Sequence, residues 1–352
     1  MGNVLTNCPN NGVSLSNINL NSISNTCLPV KYVAISDMNY SNYDYKFYNI
    51  ATSPDGITWT GVDRIGNNIV SYNGITYGNG LWVAVGDGVN ASNAVVISTD
   101  GYNWSVKNFR MWCYGVAYGD GKWVVVGSGL RSPNTLISID NGNTWNTIST
   151  ITLNPLNDIA FGKDFKGTNK HLWIVVGYGG IFTSSDGVNW LSVNINSFSY
   201  NIKCVAFGKD NSNTNLCVVG GIGDGANTIA TSPDGIIWTN RSKIINIVNG
   251  ISYNGSNLWV AVGEGTVKIA TSTNGTIWTG ITTGINNIML GKKITFTNNL
   301  WIFVGKGGET PSQSQYNIMT GKQSGTTITW DTIGRDNGIF NPLVGSSAIA
   351  YK

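Results

Sequence analysis

The stretch Ile137-Ser-Ile-Asp-Asn-Gly-Asn-Thr-Trp145 decides how this chain is read, because its pattern returns along most of the length. The copies are Ala51-Thr-Ser-Pro-Asp-Gly-Ile-Thr-Trp59, Ile97-Ser-Thr-Asp-Gly-Tyr-Asn-Trp104, Thr183-Ser-Ser-Asp-Gly-Val-Asn-Trp190, Ala230-Thr-Ser-Pro-Asp-Gly-Ile-Ile-Trp238 and Ala270-Thr-Ser-Thr-Asn-Gly-Thr-Ile-Trp278, with a worn copy ending at Trp330. The chemistry of the phrase is that of a tight turn. An Asp carboxylate can accept backbone N–H groups of its own turn, Gly reaches positive φ at no steric cost, and Trp brings a large apolar ring to pack between neighbouring sheets. From Trp59 to Trp330 the copies recur at about 45 residues, the period of one four-stranded blade in a propeller.

Two further phrases keep the same period. One is an apolar run closed by a small residue: Lys31-Tyr-Val-Ala-Ile-Ser36, Leu81-Trp-Val-Ala-Val-Gly86, Lys122-Trp-Val-Val-Val-Gly127, Leu172-Trp-Ile-Val-Val-Gly177, Leu216-Cys-Val-Val-Gly220, Leu258-Trp-Val-Ala-Val-Gly263 and Leu300-Trp-Ile-Phe-Val-Gly305. Such runs predict strands buried on both faces. The other is a tripeptide of β-branched, small and aromatic residues: Ile75-Thr-Tyr77, Val116-Ala-Tyr118, Ile159-Ala-Phe161, Val205-Ala-Phe207, Ile251-Ser-Tyr253, Ile294-Thr-Phe296 and Ile349-Ala-Tyr351. Strand alternation puts its two large residues on one face and the small one on the other, where neighbouring sheets can approach near a crowded axis.

Each unit therefore reads as inner strand A, apolar strand B, short strand C, a turn, and a Trp-bearing strand D. The first unit lacks its strand A, and the chain ends with a spare one at Ala348 to Tyr351. The expectation is an all-β fold, a seven-bladed β-propeller of four-stranded antiparallel blades over residues 29–352, its ring closed by the C-terminal strand pairing into the first blade. Residues 1–28 fall outside this count and are expected as an N-terminal extension or tether, with a strand-like alternation from Val13 to Ser24.

Composition agrees with a packed fold and narrows the partners. The chain of 352 residues is 41% apolar and 11% aromatic, and its 11% charged residues fall well below the usual share of about 25%. A net charge of +3 and no basic run longer than Lys292-Lys293 argue against nucleic acid. No stretch approaches ~20 consecutive apolar residues, so no transmembrane segment is expected. The first thirty residues show neither a basic n-region nor an apolar h-region, so no signal peptide is recognised. Localisation stays open, with a particle or cell surface as one setting. Met1-Gly2-Asn3-Val4-Leu5-Thr6 matches the myristoylation pattern, a weak lipid anchor at Gly2 with Cys8 nearby.

Five Cys at irregular spacing fit neither a zinc set nor a disulfide framework, and neither a metal nor a cofactor is expected. Cys8 and Cys27 could pair in an oxidising compartment. Aligning Phe207 with Cys217 across a hairpin leaves Cys204 out of register on the other face, so no bridge between those two is expected.

The turn phrase resembles the Asp box, or BNR repeat, of sialidase-like β-propellers, and Ser138-Ile-Asp140-Asn-Gly142-Asn-Thr144-Trp145 matches it at every fixed position. The resemblance covers residues 29–352. Most other copies set Gly directly after Asp, the sixth carries Asn274, and the last loses the acid. The resemblance implies that the box lies on the turn between strands C and D. It also implies that Asp55, Asp100, Asp140, Asp186 and Asp234 are structural, and that ligands meet the opposite rim, built from B–C and D–A connections. Arg64, Arg110, Arg131, Arg241 and Arg335 all fall in those connections, as do Glu264 and Glu309. A guanidinium fork suits carboxylate recognition. Tyr40, Tyr43 and Tyr45 in the first B–C loop, and Trp112 beside Arg110, add flat faces for sugar C–H groups. These arginines, tyrosines and Trp112 are the candidate ligand-binding residues.

A catalytic reading has less behind it. A sialidase-type site implies a triad of arginines, a Tyr-Glu nucleophile pair and an Asp acid, with the first Arg in a Phe/Tyr-Arg-Ile-Pro phrase. The corresponding stretch here, Leu28-Pro-Val-Lys-Tyr-Val-Ala-Ile35, has no Arg, and neither Glu264 nor Glu309 lies beside a Tyr in sequence. His171 precedes a strand B on the other rim, which leaves a Ser-His-Asp arrangement without a base. No catalytic residue is assigned. The expectation is a non-catalytic, lectin-like binding or attachment module for a glycan or an exposed protein loop. The alternatives are a sialidase-like glycoside hydrolase and a structural scaffold for another subunit.

Overall fold

The computed structural model describes residues 29–36, 48–62, 69–88, 95–129, 134–148, 151, 155–165, 170–195, 201–223, 225, 227–282, 290–307, 317–331, 339–340 and 346–352. Gly2, Cys8, Cys27, Tyr40, Tyr43, Tyr45, Arg64, Arg131, Glu309 and Arg335 lie outside the described residues.

Every described element is a strand. β1 (Tyr32–Ser36), β2 (Ile50–Ser53) and β3 (Thr60–Val62) form a sheet with the last strand, β28 (Ser346–Tyr351), in the order β28-β1-β2-β3. The next three sheets run in chain order: β4 (Ile69–Gly78), β5 (Leu81–Gly88), β6 (Val95–Ser98), β7 (Ser105–Lys107); β8 (Trp112–Gly119), β9 (Lys122–Ser128), β10 (Thr135–Ser138), β11 (Asn146–Ile148); and β12 (Leu156–Phe165), β13 (Lys170–Gly177), β14 (Gly180–Ser184), β15 (Leu191–Val193). Then come β16 (Asn201–Lys209), β17 (Asn215–Ile222), β18 (Asn227–Ser232), β19 (Thr239–Ser242), β20 (Ile247–Tyr253), β21 (Trp259–Glu264), β22 (Ile269–Ser272) and β23 (Thr279–Ile281). The series ends with β24 (Leu290–Thr297), β25 (Leu300–Lys306), β26 (Ile318–Ser324) and β27 (Thr327–Trp330).

This strand order corrects the expected seven separate blades in a closed ring. Five sheets stand as four-stranded antiparallel blades, whereas β16–β23 form a single eight-stranded sheet joined through the pair Ile222↔Ile247 of β17 and β20. Glycine permits the junction: a Cβ on Gly220 would stand 2.5 Å from Val248 Cγ1 and 3.0 Å from Ile251 Cδ1, so only a bare backbone lets β20 come this close. Among the described residues no other ladder joins one sheet to the next around a ring. β28 pairs with β1 in the register Val33↔Ala350 and Ala34↔Ile349, which completes the first sheet from within. Elsewhere neighbouring sheets meet through side chains and isolated bonds.

The core lies between sheets. Trp82 to Val85 and Trp259 to Val262 are fully buried along their strands B. One cluster joins Val33 and Ile35 of the first sheet to Trp82 and Ala84 of the second, and the same sharing repeats with Val124 and Trp173. The tripeptide aromatics lean on these tryptophans at ring separations of 4.7 Å for Tyr77–Trp82 and 4.6 Å for Phe161–Trp173. The most deeply buried tryptophans are those of strand B, Trp82, Trp123, Trp173, Trp259 and Trp301, rather than those of the turn phrase.

The turns themselves are locked by short-range bonds. In the first, Asp55 Oδ1 accepts the Ile57 and Thr58 N–H groups at 2.8 and 2.7 Å, Ser53 Oγ accepts the Gly56 N–H at 2.8 Å, and Trp59 Nε1 donates to Gly56 O at 3.1 Å. The same set recurs around Asp100 and Asp234. Because the indole bonds back into the turn, most of these tryptophans stop short of the ladder: β3 begins at Thr60, one residue after Trp59. Strand D was expected to carry that Trp, and only β27 includes it, at Trp330.

Candidate functional site

The inner strands share one irregularity at the end that the D–A connections feed. The ladder to the neighbouring strand skips Asn73 in β4, Tyr114 in β8, Asn157 in β12, Lys203 in β16, Asn249 in β20, Lys292 in β24 and Ser347 in β28. A bulge leaves its extra residue outside the ladder and re-aims the side chain. The short side chains are spent on stitching. Asn73 Nδ2 donates to Cys113 O at 3.0 Å, Asn157 Nδ2 to Ile202 O at 2.7 Å, Asn249 Nδ2 to Gly291 O at 2.8 Å, and Ser347 Oγ to Tyr72 O. Each acceptor lies on the next inner strand. Tyr114, Lys203 and Lys292 occupy the same position without such a bond among the described residues.

One residue past the bulge, chemistry replaces the small residues Gly74, Gly115 and Gly250. β12 carries Asp158 there, β16 Cys204 and β24 Lys293. Lys293 Nζ meets Asp158 Oδ2 at 2.7 Å, with the two side chains 28% and 14% exposed. β16 and β20 stand between β12 and β24 in the packing order, so this pair reaches across the space between non-adjacent inner strands. Asp158 Oδ2 also accepts the Val205 N–H at 3.2 Å. Burial, the largest single influence, would lower the Lys293 ammonium, but the charge and hydrogen bond of Asp158 together with the Cys204 thiol outweigh it and hold Lys293 above its ordinary value. Burial pushes the Cys204 thiol up to about 12, against the opposing field of Lys293. Burial, then Asp87 and Cys113, raises the Tyr114 phenol.

The expected site residues are only partly brought here. Trp112 opens β8 two residues before the Tyr114 bulge, half-buried, and Arg110 is exposed just ahead of it. Arg241 is not in a connection: it lies within β19, paired to Ile229, and its Nε donates to Thr231 Oγ1 at 2.9 Å on the neighbouring strand. Burial lowers its guanidinium below the ordinary value. Glu264 ends β21 and accepts Asn249 Nδ2 at 3.0 Å. Asp55, Asp100, Asp140, Asp186 and Asp234 sit in C–D turns at the opposite end, as does a groove of about 470 Å³ lined by Lys31, Tyr32, Asp55, Asn298, Asn299 and Gln323 among others. His171 pairs there with Asp120 of the preceding sheet. Cys113, Cys204 and Cys217 are buried free thiols, with Phe207 opposite Cys217 as the hairpin length predicts.

Sequence reading missed Lys203, Lys292, Lys293 and Asp158. Their signal is a polar or charged residue one or two positions ahead of the tripeptide, where three other inner strands carry Gly. Among the described residues no group of His, Cys, Asp or Glu is arranged to hold a metal, and no helix is long and apolar enough to cross a membrane.

No protein-family model matches the chain, and no curated sequence does. Solved structures do resemble it. A protein from Lactobacillus plantarum superposes with a TM-score of 0.62 at 11% identity, covering 92% of this chain and 99% of that one. The fold is a β-propeller. A structure of YCF48 bound to D1 peptide gives 0.54 at 15% identity over 80% of this propeller and 91% of that chain. The GH74 xyloglucanase from Xanthomonas campestris gives 0.51 at 15% identity, over 84% of this chain and 44% of the enzyme. Likeness at this identity carries the propeller architecture alone.

Proposed function

We propose that residues 29–352 form a non-catalytic binding module that takes a glycan at the end of the propeller built from B–C and D–A connections, with residues 1–28 as an extension. One observation carries this reading. At the inner mouth of that end, the bulge positions not spent on stitching hold Tyr114, Lys203 and Lys292, with the exposed Arg110 and half-buried Trp112 beside the first of them. Aromatic faces next to cations and amides are what saccharide hydroxyls and C–H groups require. The turn carboxylates at the other end are engaged by their own backbone, which supports a structural part for Asp55, Asp100, Asp140, Asp186 and Asp234.

A glycan array probed with the wild type and with Arg110→Ala tests the module. Arg110 is exposed, so its loss should leave the fold intact and weaken the array signal. An empty array for the wild type removes the lectin reading. A protein segment is the second reading, favoured by the peptide-bound propeller of similar fold. Turnover of a chromogenic glycoside that vanishes in Glu264→Gln would replace both with a hydrolase.

A further inference from the structure

We propose that the groove where the last sheet meets the first is the docking site of the chain's own N-terminal segment, with Ile18-Asn-Leu20-Asn-Ser-Ile23 as its occupant. The inference stands apart from the glycan reading and concerns the opposite end of the propeller. The groove, of about 470 Å³, has apolar walls in Tyr32, Pro54, Ile57 and Leu300, with the exposed Lys31 and Lys322 beside them. Its place follows from a departure in the repeat. Tyr32 pairs with Ser53 at the register position where Trp82 faces Ser98, Trp123 faces Ser138, Trp173 faces Ser184 and Trp259 faces Ser272, so a smaller ring stands where those strands carry an indole. Other joins at this end are bridged by polar bonds: Asn141 Nδ2 donates to Asn79 O at 3.3 Å, His171 pairs with Asp120, and Asn254 Nδ2 donates to Gln323 Oε1 at 3.1 Å. Here Asn298 Nδ2 reaches the Tyr32 hydroxyl only at 3.4 Å.

The occupant follows from where the described chain starts. Val30 is buried against the Gly101 turn and Lys31 lines the groove, so residues 1–28, which lie outside the described residues, are joined to the groove's own wall. Ile23 precedes Lys31 by eight residues, a reach of up to about 26 Å, which lets the segment fold back. A tethered segment meets its site at an effective concentration of order mM, so modest contacts suffice. Residues 1–28 carry no charged side chain, and in an extended segment Ile18 and Leu20 share one face with Asn19 and Asn21 on the other. The apolar pair suits the walls, and amide and hydroxyl oxygens of Asn and Ser accept from the lysine ammonium groups. The groove itself holds both signs, Lys31 and Lys322 against Asp55, which favours an uncharged occupant over an ion.

Hydrogen exchange of the full chain, read by mass spectrometry, tests the proposal. Amides of residues 18–23 should exchange at least about tenfold more slowly than in an unstructured peptide. Ile18→Ser/Leu20→Ser should remove that protection and speed exchange at the groove residues Lys31, Asn299 and Lys322. Two variants alter the groove from the other side. Ile57→Asn changes an exposed turn position that holds Thr276 in another copy, and Tyr32→Trp installs the ring of the other sheets. Each should return residues 18–23 to the unprotected rate while exchange of the inner strands β8, β12 and β20 stays as in the wild type. Free exchange of residues 18–23 in the wild type overturns the docking. Protection that persists in both Ile57→Asn and Tyr32→Trp refutes this groove as the site. Protection that rises with protein concentration would seat a second copy's segment there and refute the intramolecular clasp.

Discussion

Replacing Asp158 by Asn tests whether the cross-strand pair holds the inner end of the propeller together. The substitution keeps shape and the Val205 N–H acceptor but leaves the Lys293 ammonium without its counter-charge. Removing one partner of a fully buried pair costs about 3 to 5 kcal/mol, because the other charge stays desolvated. Here the side chains are 14% and 28% exposed, so water relieves part of that penalty. About 2 to 3 kcal/mol is the expected loss. Asp158→Asn/Lys293→Met removes both charges and should return to within about 1 kcal/mol of the wild type. The pH dependence has a definite sign. Lys293 is raised in the folded state, so the pair's stabilisation is complete below the unfolded value of 10.5 and is lost as pH climbs through the higher folded value. The gap between wild type and Asp158→Asn should therefore be flat through neutral pH and close only above 10.5. Urea unfolding followed by Trp fluorescence reads both. A single variant within about 0.5 kcal/mol of wild type, or a double variant as unstable as the two singles summed, would refute the reasoning.

Two further outcomes follow from the turns. Gly275 has φ +72°, and a Cβ there would lie 2.5 Å from Leu216 Cδ2 of the preceding strand pair, whereas Gly255 has φ +81° with nothing within 4 Å. Gly275→Ala should cost about 1 to 3 kcal/mol more than Gly255→Ala in the same urea assay, and equal losses would show that strain alone, not packing, sets the cost. Asp140 should titrate at about 2 instead of 3.8, since the Thr144 hydroxyl and N–H and the Ser138 hydroxyl all bond to its carboxylate. Its contribution to stability is then present above 3.8 and fades as pH falls toward about 2. Carboxyl carbon NMR measures the midpoint; Thr144→Ala should move it back up, and a wild-type midpoint at 3.8 removes the account.

Strand, turn and period were legible because each depends on residues close in the chain. The Ser53-x-Asp55-Gly56 bonds span two to three residues, and the Phe207↔Cys217 register follows from one hairpin. Local reading still erred where a side chain competed for the backbone. Trp59 was expected inside a strand, but its indole bonds back to Gly56 and strand pairing starts after it. Arg241 was expected in a loop, but the chain after Trp238 pairs on through Ser242 before it turns.

The chemistry at the inner end of the propeller needed three dimensions. Lys292-Lys293 stands in the sequence as a basic pair too short to track a phosphate backbone, and nothing there says that Lys293 meets an Asp 135 positions earlier. A bulge exists only relative to the partner strand's register, and a pair across non-adjacent strands exists only relative to how whole sheets are arranged. The joining of β17 to β20 is of the same kind, since it depends on which glycine faces which neighbour. Short-range spacing encodes the repeat; long-range packing chooses which odd residue in each repeat becomes chemistry.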